Sequence, residues 1–275
     1  MMELPGLLDH LEDIGPVVRA GRAGLMVDFD GTVSPIVSTP EAAVISPVAL
    51  DALGRITGIV EMVCVISGRQ LSDLLEKVDL PDATFVGNHG AEYLDGDGLR
   101  VESGVASYRG AVARVLAHLK SRVDDPLIAW QDKSLAASIH YRRTHDPEDV
   151  ARRLDAALGD APGADRVESF WGKMVLELVA PLGLDKGHAV RKLSKERALD
   201  AVLFLGDDTT DATGMTAVRE LREAGKLQGA AVAVLHDDTP DAVLRVADYT
   251  LPGIHGVERF LGWLANEVGQ SSGVA

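Results

Sequence analysis

Apolar residues along the chain fall into two patterns, short continuous runs of aliphatic residues and longer stretches with an apolar residue every third or fourth position. Continuous runs suit strands buried on both faces, and the spaced pattern suits helices with one face on a core. Residues 3–20 carry Leu4, Leu7, Leu8, Leu11 and Ile14 at helical spacing, which predicts a short amphipathic helix. The run Leu25, Met26, Val27 predicts a buried strand ending at Asp30. A turn-rich segment then leads to a helix over 47–57, with Ser46 as N-cap and Pro47 at its first position. Residues 59–66, interrupted by Glu61, predict a second strand, 70–78 a helix and 84–86 a third strand. The second ends in Ser67, Gly68 and Arg69, and the third in Gly87, Asn88, His89 and Gly90. Strands that end in small or polar residues and alternate with helices belong to a doubly wound parallel sheet.

After residue 91 the rhythm changes. A hairpin over 91–101 is signalled by Asp95, Gly96, Asp97 and Gly98. A helix over 108–123 precedes strands over 127–133 and 135–141, and a helix over 147–158 precedes strands over 166–170 and 174–179. Strands meeting strands, with helices between the pairs, predict an α+β unit with an antiparallel sheet. The first rhythm returns with a helix over 186–197, a strand over 201–205, a helix reaching 224, a strand over 230–235 and terminal helices. The expected organisation is an α/β core, residues 1–91 and 183–275, interrupted by an α+β domain over 92–182.

Composition narrows the function. With 275 residues and 46% apolar content the chain can build a substantial core. Its formal charge of -15 argues against a partner with a phosphate backbone, so an anionic substrate must meet a local cation. The single cysteine, Cys64, sits in the run VCVI and reads as a buried core thiol in a reducing compartment. The acidic start of the chain and the lack of a spanning apolar run lead us to expect a cytoplasmic protein with no membrane partner.

Candidate chemistry centres on two acidic clusters. Asp28 and Asp30 lie two residues apart, so on a strand they share a face at its carboxyl end, where open α/β sheets bind ligands. Like charges that close are costly unless a cation or a phosphate belongs to the design. An Asp before Gly31 can also simply cap a turn. Asp207, Asp208 and Asp211 in GDDTTD follow a second buried strand, and there too an N-cap is the plainer reading. Taken with Ser67 and Lys186 at the ends of other elements, the clusters point to an all-oxygen Mg²⁺ site.

DFDGT at 28–32, SGR at 67–69, Lys186 in DKG and GDDTTD at 206–211 together resemble, in this order, the four motifs of the haloacid dehalogenase superfamily. The resemblance implies a Rossmann-like core with an inserted cap of the C2B type. It implies Asp28 as a nucleophile that forms an aspartyl phosphate, and Asp30 as acid to the leaving oxygen and then base to water. Mg²⁺ would be held by Asp28, the main-chain carbonyl of Asp30 and Asp207, with Asp211 and Asp208 in support. Ser67 would donate to the phosphoryl group, Arg69 would bind beside it, and Lys186 would supply the cation. Burial beside other carboxylates is expected to keep Asp30 protonated for its first task.

The insertion resembles the cap of the trehalose-6-phosphate phosphatases through NHGAEY at 88–93, QDKSLAASIHYR at 131–142 and GKMVLELVAP at 172–181. This implies that Gln131, Lys133, Arg142, Lys173 and Glu177, with the loop Asn88, His89 and Gly90, bind the sugar. His140 and His89 are read as hydrogen-bonding or structural rather than metal-ligating. Two positions depart from that family: Gln131 stands where an acid is usual, and Ala212 follows Asp211 where an acid is usual. The expected activity is therefore Mg²⁺-dependent hydrolysis of trehalose 6-phosphate by a monomer. A related sugar or pseudo-disaccharide phosphatase, a phosphohexomutase of the same superfamily and a silent sugar-phosphate binder are the alternatives.

Overall fold

The structure, a computed structural model, describes residues 4–272 other than 20, 38 and 173, with the backbone alone at 270–272. Where one helix is predicted over 3–20, a 3-10 turn (Leu7–Asp9) is followed by α1 (Leu11–Val18). Next come β1 (Ala23–Asp28), α2 (Pro47–Ile56), β2 (Met62–Ile66), α3 (Leu71–Lys77), β3 (Thr84–Gly87) and the hairpin β4 (Glu92–Asp95) and β5 (Gly98–Val101). The middle of the chain forms α4 (Arg109–Arg122), β6 (Ala129–Asp132), β7 (Ala137–His140), α5 (Pro147–Gly159), β8 (Glu168–Gly172) and β9 (Val175–Val179). The last third forms α6 (Lys186–Glu196), β10 (Ala201–Gly206), α7 (Thr209–Glu223), β11 (Gln228–Leu235), α8 (Asp241–Leu244), β12 (Tyr249–Pro252) and α9 (Gly253–Ser272). As the sequence suggests, Ser46 caps α2 by accepting from the Ala49 amide.

Among the described residues, eight strands pair in the order β12, β11, β10, β1, β2, β3, β4, β5, and four more pair as β6, β7, β9, β8. From β12 to β3 every pairing is parallel, while β4 runs antiparallel to β3. The predicted hairpin over 91–101 therefore extends the large sheet. Periodicity shows a hairpin but not which sheet it joins, and the three-residue turn after β3 leads β4 straight back along it. The second compact unit is accordingly Val101–Leu184, shorter at its start than the expected 92–182.

Strand alternation sorts the core of the large unit into two layers. Leu25, Val27, Val63, Val65, Leu203 and Leu205 join α2 and α9 on one face. Met26, Cys64, Ile66, Val202 and Phe204 join α6 and α7 on the other. Both faces are dry, which is why these strands read as continuous apolar runs. Cys64 is fully buried in the second layer, and burial pushes its thiol well above the ordinary range. Among the described residues no helix is long and apolar enough to cross a membrane.

In the smaller unit, Ala137 and Ile139 of β7 and Leu176 and Leu178 of β9 pack on Val112, Val115 and Leu119 of α4 and Val150 and Leu154 of α5. The alternate residues of the same strands, Ser138, His140 and Glu177, take the opposite face.

Close packing between α7 and β10 makes one substitution diagnostic. A Cβ built on Gly214 in α7 would lie 2.5 Å from Cζ of Phe204, a fully buried ring. Alanine in a helix interior ordinarily gains about 1 kcal/mol over glycine, whereas overpacking a core costs about 1–3 kcal/mol. Gly214→Ala is expected to lower stability in urea unfolding, and a stabilised variant would show that α7 and Phe204 can separate freely.

Candidate active site

Neighbouring parallel strands deliver polar residues to one edge of the large sheet. Asp28 is the last residue of β1, Ser67 follows β2, Asp207 follows β10 and His236 follows β11. Lys186 opens α6, whose N-cap Asp185 accepts from the His188 amide.

Lys186 joins two of the acids. Its Nζ donates to Asp28 Oδ1 and to Asp211 Oδ1, each at 2.5 Å, and the three residues are 3%, 4% and 0% exposed. The second oxygen of Asp211 accepts from the amides of Asp207 and Asp208 at 3.1 and 3.0 Å. Asp208 is the N-cap of α7 and accepts from the Thr209 amide, so GDDTTD is at once an N-cap and a cluster of acids. Both oxygens of Asp211 thus hold the ammonium and the turn, and Asp208 serves the helix end.

One oxygen each from Asp28, Asp207 and Asp211 lie within 4.8 Å of one another. Burial, then Asp211, then Asp207 push the Asp28 carboxyl well above the usual range, against the pull of Lys186. For Lys186, burial favours the neutral amine, but Asp211 and Asp28 outweigh it and raise the ammonium. Three buried carboxylates facing one buried ammonium leave a deficit of positive charge. An all-oxygen donor set with that deficit fits a hard divalent cation.

Asp30 departs from expectation. β1 stops at Asp28 and the chain turns at Phe29, so Asp30 lies beyond the strand. The Asp30 side chain is 45% exposed, and both its oxygens accept from Arg69, from Nε and Nη2 at 2.7 Å. The burial that the sequence suggests for Asp30 falls on Asp28 instead. Arg69 is itself fixed by Asp73, which accepts from Nη1 at 2.6 Å, and by the Phe29 ring 5.3 Å beneath its guanidinium.

Two loops are stitched together beside this pair. The Asn88 amide donates to the Arg69 carbonyl at 2.7 Å, and the His89 amide donates to the Ser67 carbonyl at 3.2 Å. The Ser67 Oγ accepts from the Arg69 amide, and the Asn88 side chain donates to Glu92 at 2.7 Å. Asn88, His89 and Gly90 all have positive φ, a strained run that these bonds sustain. Sequence reasoning missed Asp73, Glu92 and His236. Asp73 carries a usable signal, since it lies four residues from Arg69 at helical spacing.

The smaller unit holds a separate polar row. Gln131, Ser138, Glu177 and Phe170 lie opposite one another on adjacent strands, and so on one face. The Ser138 hydroxyl lies 2.6 and 2.7 Å from the two oxygens of Glu177, and Lys133 Nζ donates to Glu177 at 3.4 Å. Ser138, Glu177 and Lys133 are buried. His140 Nε2 and Gln131 Oε1 are 3.1 Å apart. Arg142 is exposed, and Lys173 lies outside the described residues.

A doubly wound sheet with Asp28, Ser67, Lys186 and the Asp207 to Asp211 turn at its carboxyl edge is the core of a haloacid-dehalogenase-type protein. The sequence profile of the trehalose-phosphatase family matches residues 26–243. The trehalose-phosphate phosphatase of Mycobacterium avium (strain 104) is 32% identical over 252 residues, 85% of this chain and 62% of the relative. That of Mycobacterium marinum is 30% identical over 277 residues, 98% of this chain and 67% of the relative. The chain belongs to the trehalose-phosphatase family. It spans about three fifths to two thirds of the length of these curated relatives. The C-terminal domain of Candida albicans trehalose-6-phosphate phosphatase has the same fold, with a TM-score of 0.78 at 24% identity over 96% of this chain and 98% of that one. An Aspergillus fumigatus trehalose-6-phosphate phosphatase is similar with a TM-score of 0.64 at 27% identity, over 96% and 99%.

The charge balance can be tested without substrate. Lys186→Met should destabilise the metal-free protein by about 3–5 kcal/mol, because it leaves buried carboxylates without their cation. Asp28→Asn should raise the unfolding midpoint in EDTA, since it removes a charge that burial and its neighbours disfavour. A lowered midpoint for Asp28→Asn would mean that the bond to Lys186 outweighs the repulsion.

Proposed function

We propose that this chain is a Mg²⁺-dependent phosphatase that releases trehalose and inorganic phosphate from trehalose 6-phosphate by way of an aspartyl phosphate. The observation that carries the reading is Asp28, buried at a strand end against Lys186, with Asp207 and Asp211 beside it. Family membership supports the substrate class.

In this reading an oxygen of Asp28 attacks phosphorus while the bond to the sugar oxygen breaks, and Asp30, once it has taken a proton from solvent in place of a bond to Arg69, gives that proton to the leaving oxygen. Water then attacks the phosphorus of the acyl phosphate and passes a proton to Asp30, and the bond to Asp28 breaks to restore the carboxylate. Lys186 and Ser67 stabilise the phosphoryl oxygens. A divalent ion held by Asp28, Asp207 and the main-chain carbonyl of Asp30 would supply charge neutralisation. Asp211 supports the site by holding Lys186 and the turn that carries Asp207, and Asp208 by capping α7. Half-exposed Asp30, held by Arg69, stands where an arriving leaving group can reach it. Asn88, His89 and Gly90 form the loop beside Arg69 that completes substrate binding.

The polar row of the smaller unit is the proposed sugar reader. Lys133, Glu177, Gln131 and Arg142 suit hydroxyl groups, which need both donors and acceptors. A related disaccharide or pseudo-disaccharide phosphate is the second reading, favoured by Gln131, whose amide carbonyl faces His140 and whose amide nitrogen therefore remains to meet a substrate oxygen.

Phosphate release should be measured with Mg²⁺ and with EDTA on trehalose 6-phosphate, sucrose 6-phosphate, glucose 6-phosphate and mannose 6-phosphate. A strong preference for the first, lost in EDTA, is expected; turnover indifferent to EDTA would remove the metal from the reading, and a preference for another sugar would favour the second. Lys133→Ala or Glu177→Ala should raise KM for the disaccharide phosphate about tenfold or more and leave KM for an aryl phosphate near its original value. Equal effects on both substrates would remove this row from sugar recognition.

A further inference from the structure

We infer that His236 is a positioning residue that locks the Asp30 to Gly31 turn against Asp207 and so sets the affinity of the acidic site for its cation. The inference rests on the metal reading above. His236 directly follows β11, one strand beyond Asp207. Its Nε2 lies 2.7 Å from the carbonyl oxygen of Gly31 and 3.8 Å from Asp207 Oδ2. A carbonyl oxygen only accepts, so Nε2 carries the hydrogen and donates to Gly31, and the nearby carboxylate favours the same tautomer.

The other end of Gly31 is also held. Its amide donates to the Ser34 carbonyl at 2.8 Å, so the peptide joining Asp30 to Gly31 is fixed at its N–H and its carbonyl must face away from Ser34. With Gly31 pinned through its amide by Ser34 and through its carbonyl by His236, the Asp30 carbonyl has one orientation. The turn also lies hard against Asp207. Gly31 has φ +83°, and a Cβ there would sit 2.5 Å from Asp207 Oδ2. A shift of this turn would therefore move one proposed ligand and disturb another.

His236 is in turn anchored by its own backbone. Its amide donates to Thr239 Oγ1 at 2.7 Å, and the Thr239 hydroxyl and amide donate back to its carbonyl at 3.0 and 3.2 Å. The mechanism proposed above has no use for an imidazole here, and His236 adds no oxygen ligand. What it does is tie the end of β11 to the turn after β1.

The test is Mn²⁺ binding to the metal-stripped full chain, read from the electron paramagnetic resonance signal of free Mn²⁺, for the wild type, His236→Leu and His236→Gln. Leucine fills similar space without a donor, while the glutamine amide can reach Gly31 as Nε2 does. The leucine variant should bind Mn²⁺ about 10–100-fold more weakly, the cost typical of losing a residue that orients metal ligands. The glutamine variant should recover most of that loss, and the metal-free unfolding midpoints should stay alike. Wild-type affinity in the leucine variant would overturn the role of His236 alone, as would glutamine binding as weakly as leucine. Absence of Mn²⁺ binding by the wild type would overturn the metal reading and this inference with it.

Discussion

Everything at the carboxyl edge of the large sheet depends on the ammonium of Lys186. Buried carboxylates repel one another and lose their hydration, and the interior compensates only where a cation is supplied. Lys186 donates to Asp28 and Asp211 across 158 and 25 residues of sequence, so one side chain ties β1 to the start of α7. Asp211 passes the constraint on, because its second oxygen holds the amides of Asp207 and Asp208. Asp207 stands beside them as a third buried carboxylate. The site is incomplete in charge, and a hard cation with an anionic phosphoryl group fits that imbalance.

Much of this was legible in the sequence because buried parallel strands have a distinctive signature. The runs from Leu25 to Val27, from Val63 to Ile66 and from Val202 to Leu205 are apolar at every position because both faces meet helices. Their ends then mark the edge where chemistry collects, which is how Asp28, Ser67 and Asp207 could be found. The same rule failed two residues further on. It assumes that the strand continues, but the ladder ends at Asp28 and the backbone turns at Phe29, and Asp30 is held by Arg69. Alternation identifies faces only while the ladder lasts.

Other misses have different causes. The hairpin over 91–101 has local turn chemistry that says nothing of its neighbours, and it joined the large sheet through β3. The strand β12, four residues ending in Pro252, is too short to stand out from the terminal helices. His236 shares no spacing with any acidic cluster, because its partner Gly31 lies 205 residues away and is met through a main-chain carbonyl. In the smaller unit Ser138 looks like a small filler between Ala137 and Ile139, yet its hydroxyl meets both oxygens of Glu177. Residue type and spacing reveal clusters of charge, while single hydrogen bonds that aim those clusters need the fold.

The central claim is that Asp28 becomes covalently phosphorylated. It is tested most directly by mixing the enzyme with excess substrate, quenching in acid within one turnover and locating the phosphoryl group by peptide mass spectrometry. The account predicts one phosphoryl group on the peptide that carries Leu25 to Ser34, on Asp28 itself, and none when hydroxylamine is added before digestion. A phosphoryl group on Ser67, or none on any peptide while phosphate is being released, would contradict it.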